Sequence, residues 1–217
     1  MENSEYILQP MNCETNLLSM PDGSSIFIKD NTCTVTGVYG PIEVKLQKLM
    51  HDKASVEVIF TPVKGPPSID NRVKELYIKE TFESTLMVSL HPSTSISINV
   101  QEMEDSGGLL ACSINSSCVA LINSNLPMKF TVAAVHCMID KDSRNIIIDP
   151  SEVQLQNARA TFTFAFDNIK KNCISCYTTG RFNDEELIES LKKCRDASQC
   201  VFDFYREIVK KYAHVIT

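Results

Sequence analysis

The sequence predicts an α+β fold, a single domain of mixed strand pairs with three main helices, and three observations carry that reading. Residues 25–29 and 32–36 are β-branched and aromatic runs joined by Asp30-Asn31, the chemistry of a tight hairpin turn. Ala160, Phe162, Phe164 and Phe166 alternate with period two, as a strand with one apolar face requires. Behind Asn183 and Glu186, which together make a capping box, Leu187, Leu191, Cys194, Val201, Phe204, Tyr205, Ile208 and Tyr212 form a helical apolar stripe. A chain of 217 residues is long enough to bury a sizeable core within one domain. Residues 1–15 read as an N-terminal extension and residues 16–217 as the domain.

After the first hairpin, residues 55–63 predict a strand with Val56, Val58 and Phe60 on one face, closed by Gly65-Pro66-Pro67. Asp70 has N-cap chemistry, and Val73, Leu76, Tyr77 and Thr81 then recur at helical spacing to about Leu86. His91-Pro92 ends that helix. Ile96, Ile98 and Val100 alternate as a strand, and Gly107-Gly108 opens a second helix carrying Leu110, Ile114, Cys118, Leu121 and Ile122. Its many Ala, Ser and Cys residues predict a tightly packed central helix. Residues 130–139 and 145–149 predict a hairpin through Lys141-Asp142-Ser143-Arg144. The Phe-rich strand, a strand at 172–179 and the last helix complete the chain.

Composition excludes several classes. With 43% hydrophobic and 22% charged residues, the chain is not largely disordered. No apolar run reaches the roughly 18 residues of a membrane span, and Met1-Glu2-Asn3-Ser4-Glu5 lacks the features of a secretory signal. The expectation is an intracellular protein without membrane contact. A net charge of -6 disfavours stand-alone binding of nucleic acid, leaving local patches or binding through an assembly. The nine cysteines read as free thiols in a reducing compartment, most of them buried as small hydrophobes. Cys173-Ile174-Ser175-Cys176 has the spacing of half a zinc site or a redox pair, but no second pair follows at ribbon spacing. Cys194 and Cys200 lie six positions apart, and His51, His91, His136 and His214 share no ligand spacing with them. No metal and no cofactor is expected.

Several stretches occur in an order that resembles the RNase PH family, phosphate-dependent 3′-to-5′ exoribonucleases and their relatives in the exosome ring. They are Asp22-Gly23-Ser24-Ser25 before a strand, Val38-Tyr39-Gly40-Pro41 closing the next, and the helix at 78–86. Ile96-Ser97-Ile98-Asn99-Val100 with its following Gly-Gly helix start, and Ile148-Asp149-Pro150 before the Phe-rich strand, complete the set. Residues 90–96, 108–112, 158–160 and 201–207 are similar to ring subunits of the eukaryotic exosome. The resemblance spans residues 18–212 and implies an RNase PH-like single domain of the ribosomal protein S5 domain 2-like type.

What the resemblance implies about chemistry is mostly loss. Active members hold phosphate with a Gly-Thr-Arg turn at a helix N-terminus, where arginine adds to the positive helix end. The matching stretch is Gly108-Leu109-Leu110, and Leu110 brings neither charge nor hydrogen bond. Two family aspartates, general acid and metal ligand, fall on Val153 and Arg159 when counted from Asp149. Arginines that grip RNA from the first helix fall at Glu80 and Glu83, whose carboxylates repel a phosphate backbone, and Glu152 reads as a solvated charge. The resemblance therefore implies a degenerate site with no catalytic residue, metal or cofactor.

It also implies a place in a six-membered ring. The partners would be other RNase PH-like ring subunits, cap subunits with RNA-binding domains, and RNA threading the channel. Ribosomal RNA maturation would be among its tasks, in nucleus, nucleolus and cytoplasm. Lys45, Lys48 and Lys53 are candidate RNA contacts as well as solvated charges, while Lys192-Lys193 and Lys210-Lys211 read as solvated face and helix end. An alternative is an active phosphate-dependent exoribonuclease or a homodimeric nuclease for RNA or DNA, with Asp140, Asp149 and Glu152 as the nearby carboxylates. Whether the isolated chain homodimerises stays open. A small-molecule binding module ranks last, for want of a phosphate loop or dinucleotide fingerprint.

Overall fold

The computed structural model describes residues 8–44, 48–141 and 144–213. In chain order the elements are β1 (Met11–Thr15), β2 (Gly23–Lys29), β3 (Thr32–Glu43), β4 (Ser55–Thr61), α1 (Ile69–Thr85), a 3₁₀ turn (Val88–Leu90), β5 (Thr94–Glu104), α2 (Leu109–Asn123), β6 (Val132–Asp140), β7 (Ile146–Ile148), α3 (Glu152–Leu155), β8 (Ala158–Asp167), β9 (Cys173–Gly180) and α4 (Asp184–Ala213). They build a five-stranded sheet of order β1-β2-β3-β5-β4 and a four-stranded sheet of order β7-β6-β8-β9. The first is mixed, because β4 runs parallel to β5 through the α1 crossover. The second is antiparallel throughout.

The β2–β3 hairpin closes as the sequence predicts: Lys29 pairs with Thr32 across Asp30-Asn31. Asp30 takes φ 52°, the positive value that such a short turn demands. Gly23, Ser25, Phe27 and Lys29 share the buried face of β2. That face lies hard against α2, since a Cβ at Gly23 would strike the Ala120 carbonyl and the Ser124 side chain.

α2 is buried on every side from Leu109 to Leu121. A helix so enclosed must satisfy its polar side chains without water. Ser113 Oγ donates to the Leu109 carbonyl at 2.8 Å and Ser117 Oγ to the Ser113 carbonyl at 2.7 Å. Ser116 Oγ accepts from Thr36 Oγ1 at 2.8 Å, while Ser25 Oγ donates to the Ser116 carbonyl at 2.7 Å, which ties the helix to the five-stranded sheet. On the other side, Asn115 Nδ2 donates to the Ala134 carbonyl at 3.0 Å, and Asn115 Oδ1 accepts from the Ala134 N–H at 2.7 Å. The same Oδ1 accepts from Tyr205 Oη at 2.9 Å, so one carboxamide joins α2, β6 and α4.

Several elements differ from the sequence reading. Ser68, not Asp70, caps α1, accepting from the Asn71 N–H at 3.3 Å. The buried face of α1 runs through Asn71, Glu75, Ile78, Thr81, Phe82 and Thr85, while Leu76 is 52% exposed. Polar residues hold core positions there because they bond locally: Glu75 Oε1 accepts from the Phe60 N–H at 2.9 Å and Thr85 Oγ1 donates to the Thr81 carbonyl at 2.7 Å. β4 stops at Thr61, short of Val63. Met11–Thr15, inside the segment read as an extension, is a strand paired with β2. The four-residue α3 is a further element that the sequence reading lacks. The expected capping of α4 is present in one half, with Glu186 Oε2 accepting from the Asn183 N–H at 2.9 Å. Among the described residues no helix is long and apolar enough to cross a membrane.

Asn115→Ala leaves the Ala134 N–H and carbonyl unpaired inside the core and is expected to lower the unfolding free energy by about 3 kcal/mol. Tyr205→Phe, which leaves the Asn115–Ala134 pair intact, should cost about 1 kcal/mol. Urea midpoints of the two variants measure this, and equal losses would contradict the assigned network.

Candidate functional site

The start of α2 is where the chain brings most of its chemistry together. Gly107 and Gly108 adopt φ 114° and 67°, which a side chain would resist. A Cβ at Gly107 would strike Leu155 of α3, and one at Gly108 would stand 3.4 Å from His136 Cβ. So the helix start, β6 and the β7–α3 connection meet here. Thr32 Oγ1 holds the approach, donating to the Gly107 carbonyl at 2.8 Å and accepting from the Ser106 N–H at 3.1 Å.

Beside it lies a buried ion pair. Lys29 Nζ and Asp149 Oδ1 are 2.7 Å apart, with side chains 5% and 6% exposed. Asp149 Oδ2 accepts from the Gln9 N–H at 2.9 Å, and the Asp149 N–H donates to the His136 carbonyl at 2.8 Å. A charge taken this far out of water needs such a partner and such hydrogen bonds. One carboxylate thus joins the N-terminal segment, the end of β2 and the end of β7. His136 Nδ1 is 2.9 Å from Thr163 Oγ1. Burial, with the Lys29 ammonium adding to it, lowers the His136 imidazolium from 6.5 to about 4, against the opposing pull of Asp149.

The three positions that the resemblance singles out point in three directions. Leu110, with Leu109, packs inward at 6% and 4% exposure. Val153 stands out from α3 at 75% exposure. Arg159 is the extra residue of a β-bulge, since Ile139 pairs with Ala160 and Asp140 with Ala158. The bulge turns its guanidinium to the Glu186 carboxylate at the start of α4, with Nε donating to the Arg181 carbonyl at 3.1 Å. The Asn183 N–H and the Arg159 guanidinium hold the Glu186 carboxyl below its usual range. Val153 offers hydrocarbon and Arg159 a cation, so neither position supplies a carboxylate to a divalent ion. Among the described residues, no three His, Cys, Asp or Glu side chains gather to hold a metal ion.

The remaining candidates scatter. Lys45 and His214 lie outside the described residues. Lys48 pairs with Glu57 at 2.9 Å and Lys53 with Glu83 at 2.5 Å, so each lysine has a carboxylate partner. Glu80 and Glu152 are exposed. Of the cysteines, Cys13, Cys112, Cys118, Cys137 and Cys194 are buried, but Cys176 and Cys200 are exposed. Burial still pushes the Cys176 thiol up to about 11, which leaves it a poor nucleophile at neutral pH. Sequence reasoning missed Lys29 as the partner of Asp149. The signal was its parity, because a lysine in step with Phe27 on the inward face of a strand requires a buried anion.

Compared with known proteins, residues 8–127 match the 3′ exoribonuclease family, domain 1, the RNase PH model. The chain belongs to the RNase PH family. Within it, the chain is 27% identical to the exosome complex exonuclease RRP46 homolog of Oryza sativa subsp. japonica, over 95% of this chain and 93% of that one. It is 30% identical to the Arabidopsis thaliana homolog of the same name, over 74% of this chain and 67% of the relative. The crystal structure of rice Rrp46 superimposes with a TM-score of 0.88 at 28% identity, covering 94% of this chain and 96% of that one.

The RNase PH fold here carries a pH dependence that His136 sets. Its imidazole is neutral when folded down to about 4 but takes a proton near 6.5 when unfolded. Its contribution is therefore full above 6.5 and is lost as the pH falls towards 4, by on the order of 3 kcal/mol. Lys29, Asp149 and Asp105 are the charged groups that act on the ring. Denaturant titrations between these limits should show a steeper loss for the parent chain than for His136→Gln. Parallel pH profiles would refute the assignment.

Proposed function

We propose that this chain is a non-catalytic structural subunit of the RNA exosome ring, of the Rrp46 type, corresponding to exosome component five. The observation that carries the reading is the start of α2, where the residue matched to the family's phosphate-holding arginine is the inward-packed Leu110. Phosphorolysis needs cationic and backbone donors to hold phosphate beside the scissile phosphodiester, and an acid to protonate the leaving oxygen. Val153 and Arg159 stand at the positions matched to the family's aspartates, and Arg159 is tied to Glu186.

Such a chain acts through its surfaces. Its partners would be other RNase PH-like ring subunits, cap subunits with RNA-binding domains, and RNA passing through the assembled channel. The role is assembly and RNA guidance in 3′-to-5′ processing and decay, ribosomal RNA maturation included, in nucleus, nucleolus and cytoplasm. Lys48 and Lys53 would contact RNA by exchanging Glu57 and Glu83 for phosphate. Exchanges of this kind are inexpensive, because exposed ion pairs contribute only about 0–1 kcal/mol. Lys45 is a third candidate.

The plant relatives are named exonucleases, which favours a second reading as a residual nuclease, as a homodimer on RNA or DNA. Its acid would have to come from Asp140, Asp149 or Glu152, and Asp149 is already held by Lys29 and the Gln9 N–H.

Incubating the purified chain with 5′-labelled single-stranded RNA and Mg²⁺, with and without inorganic phosphate, separates the two. The structural reading expects no 3′-shortened products under either condition. Phosphate-dependent shortening by the parent chain would overturn it. If decay appears only when Leu110→Arg is combined with Val153→Asp and Arg159→Asp, the missing side chains are the cause of inactivity.

A further inference from the structure

One end of the domain gathers exposed cations. Where β6 and β9 begin and β8 stops, two loops are clasped together. The Thr131 N–H donates to Asn168 Oδ1 at 3.1 Å, and the Asn168 N–H donates to the Thr131 carbonyl at 3.2 Å. Lys129 stands on the first loop and Lys170 and Lys171 on the second. Arg206 and Lys210 of α4, with Thr131 and Asn168, line a cavity of about 350 Å³ between them. All five cations are exposed. Of the acids at this end, Asp203 is taken by Arg206 at 2.6 Å and Glu83, next to Ser84 at the end of α1, by Lys53, while Glu207 lies on α4 beside Asp203. Asp167 is buried, and its Oδ1 accepts from the Lys170 and Lys171 N–H groups at 2.6 and 2.7 Å. It braces the turn through the backbone and leaves the ammoniums outside. Among the described residues, the ion pairs include none made by Lys129, Lys170, Lys171 or Lys210. Lys129 Nζ donates instead to the Ser84 carbonyl at 3.1 Å, at the end of α1. Lys171 is moreover held at φ 54°, where glycine or asparagine is the usual choice. The opposite end, where β6 stops and α3 and α4 begin, mixes both signs: Asp140, Glu152, Asp184, Glu185 and Glu186 stand there with Lys141, Arg144, Arg159 and Arg181.

We propose that Lys129, Lys170, Lys171, Arg206 and Lys210 form a binding surface for the phosphodiester backbone of single-stranded RNA, at the end of the domain away from the start of α2. The inference rests on reading the chain as an RNA-handling subunit, and adds a surface that this reading does not contain. Unpaired ammoniums on a braced turn and a helix flank bind phosphates by releasing their counterions, without reading bases. Apolar side chains also stand here, with Ile169 and Val209 exposed and Ile122, Phe202 and Tyr205 lining the cavity, so an acidic polypeptide is the competing partner that the test includes.

The test is fluorescence anisotropy with a 5′-labelled single-stranded RNA and the full chain, between about 50 and about 200 mM KCl. Lys170→Glu with Lys171→Glu and Lys210→Glu should weaken binding at least about tenfold at low salt. It should also flatten the plot of log affinity against log salt by about 2. A control set with the same change in net charge, Lys64→Glu with Lys79→Glu and Lys192→Glu, should change both far less, with folding checked by circular dichroism. Equal losses in the two sets would overturn the proposal, because net charge alone would then explain the binding. Binding of the parent chain to polyglutamate but not to RNA would also overturn it, in favour of an acidic polypeptide partner. Incorporation into a reconstituted exosome ring is measured separately. A patch variant that joins the ring but loses RNA affinity supports the surface. A parent chain that binds RNA through the patch but does not join the ring leaves the surface standing and removes the ring assignment.

Discussion

The structure depends on a helix that water does not reach. α2 is buried from Leu109 to Leu121, with the five-stranded sheet on one side and β6 and β8 on the other. Enclosure on this scale is stable only if no polar group inside is left unpaired, and the serines, Asn115 and Tyr205 meet that condition one bond at a time. The small residues of α2 serve closeness as much as polarity. Gly23 brings β2 to within backbone contact of the helix, a distance that a larger residue would forbid. Because both sheets take their position from this helix, its two ends also fix where chemistry can lie.

At the N-terminal end, the packing that orders the site also closes it. Leu109 and Leu110 belong to the core, and Leu155 seals Gly107. Asp149 has been drawn into a buried pair with Lys29. Arg159 is engaged in anchoring the first turn of α4, where its loss would leave Glu186 with the Asn183 N–H but without its cationic partner. A substitution that returned a carboxylate at this position would therefore place two acids where one ion pair now stands. Each of these residues serves the packing here, which is why their chemistry cannot be judged one residue at a time.

Much of the fold was legible in the sequence, and its illegible parts share a physical cause. The β2–β3 hairpin and α4 were readable because turn chemistry and apolar period agree there. α1 was read in part: Tyr77 and Thr81 do face inward, but Glu75 and Thr85 join them as buried polar residues whose hydrogen bonds the sequence does not show, while Leu76 faces solvent. β1 alternates, with Met11, Cys13 and Thr15 turned inward and Asn12 and Glu14 outward, but five residues with one fully buried side chain were too short a run to be read as a strand. α3 is a single turn of four residues, too short to repeat a helical period. At the candidate site, Leu110, Val153 and Arg159 were singled out by the resemblance, counted from Gly108 and Asp149. The bulge that redirects Arg159 depends on its pairing with β6 and leaves no mark on its own strand.

The mid-chain position of α2 has a consequence for synthesis. The helix emerges from the ribosome after β1 to β5 are available to cover one side of it, but its other cover is still to come. Ala134 follows Asn115 by 19 residues and Tyr205 by 90. Until then the nascent chain displays one side of an apolar rod to the cytosol, a surface that invites chaperones and aggregation alike. The segment 8–127 that matches the family's first domain ends inside this interval. It is a recognisable unit of sequence but not a finished unit of folding, and α4, translated well after it, is the helix that completes the seal.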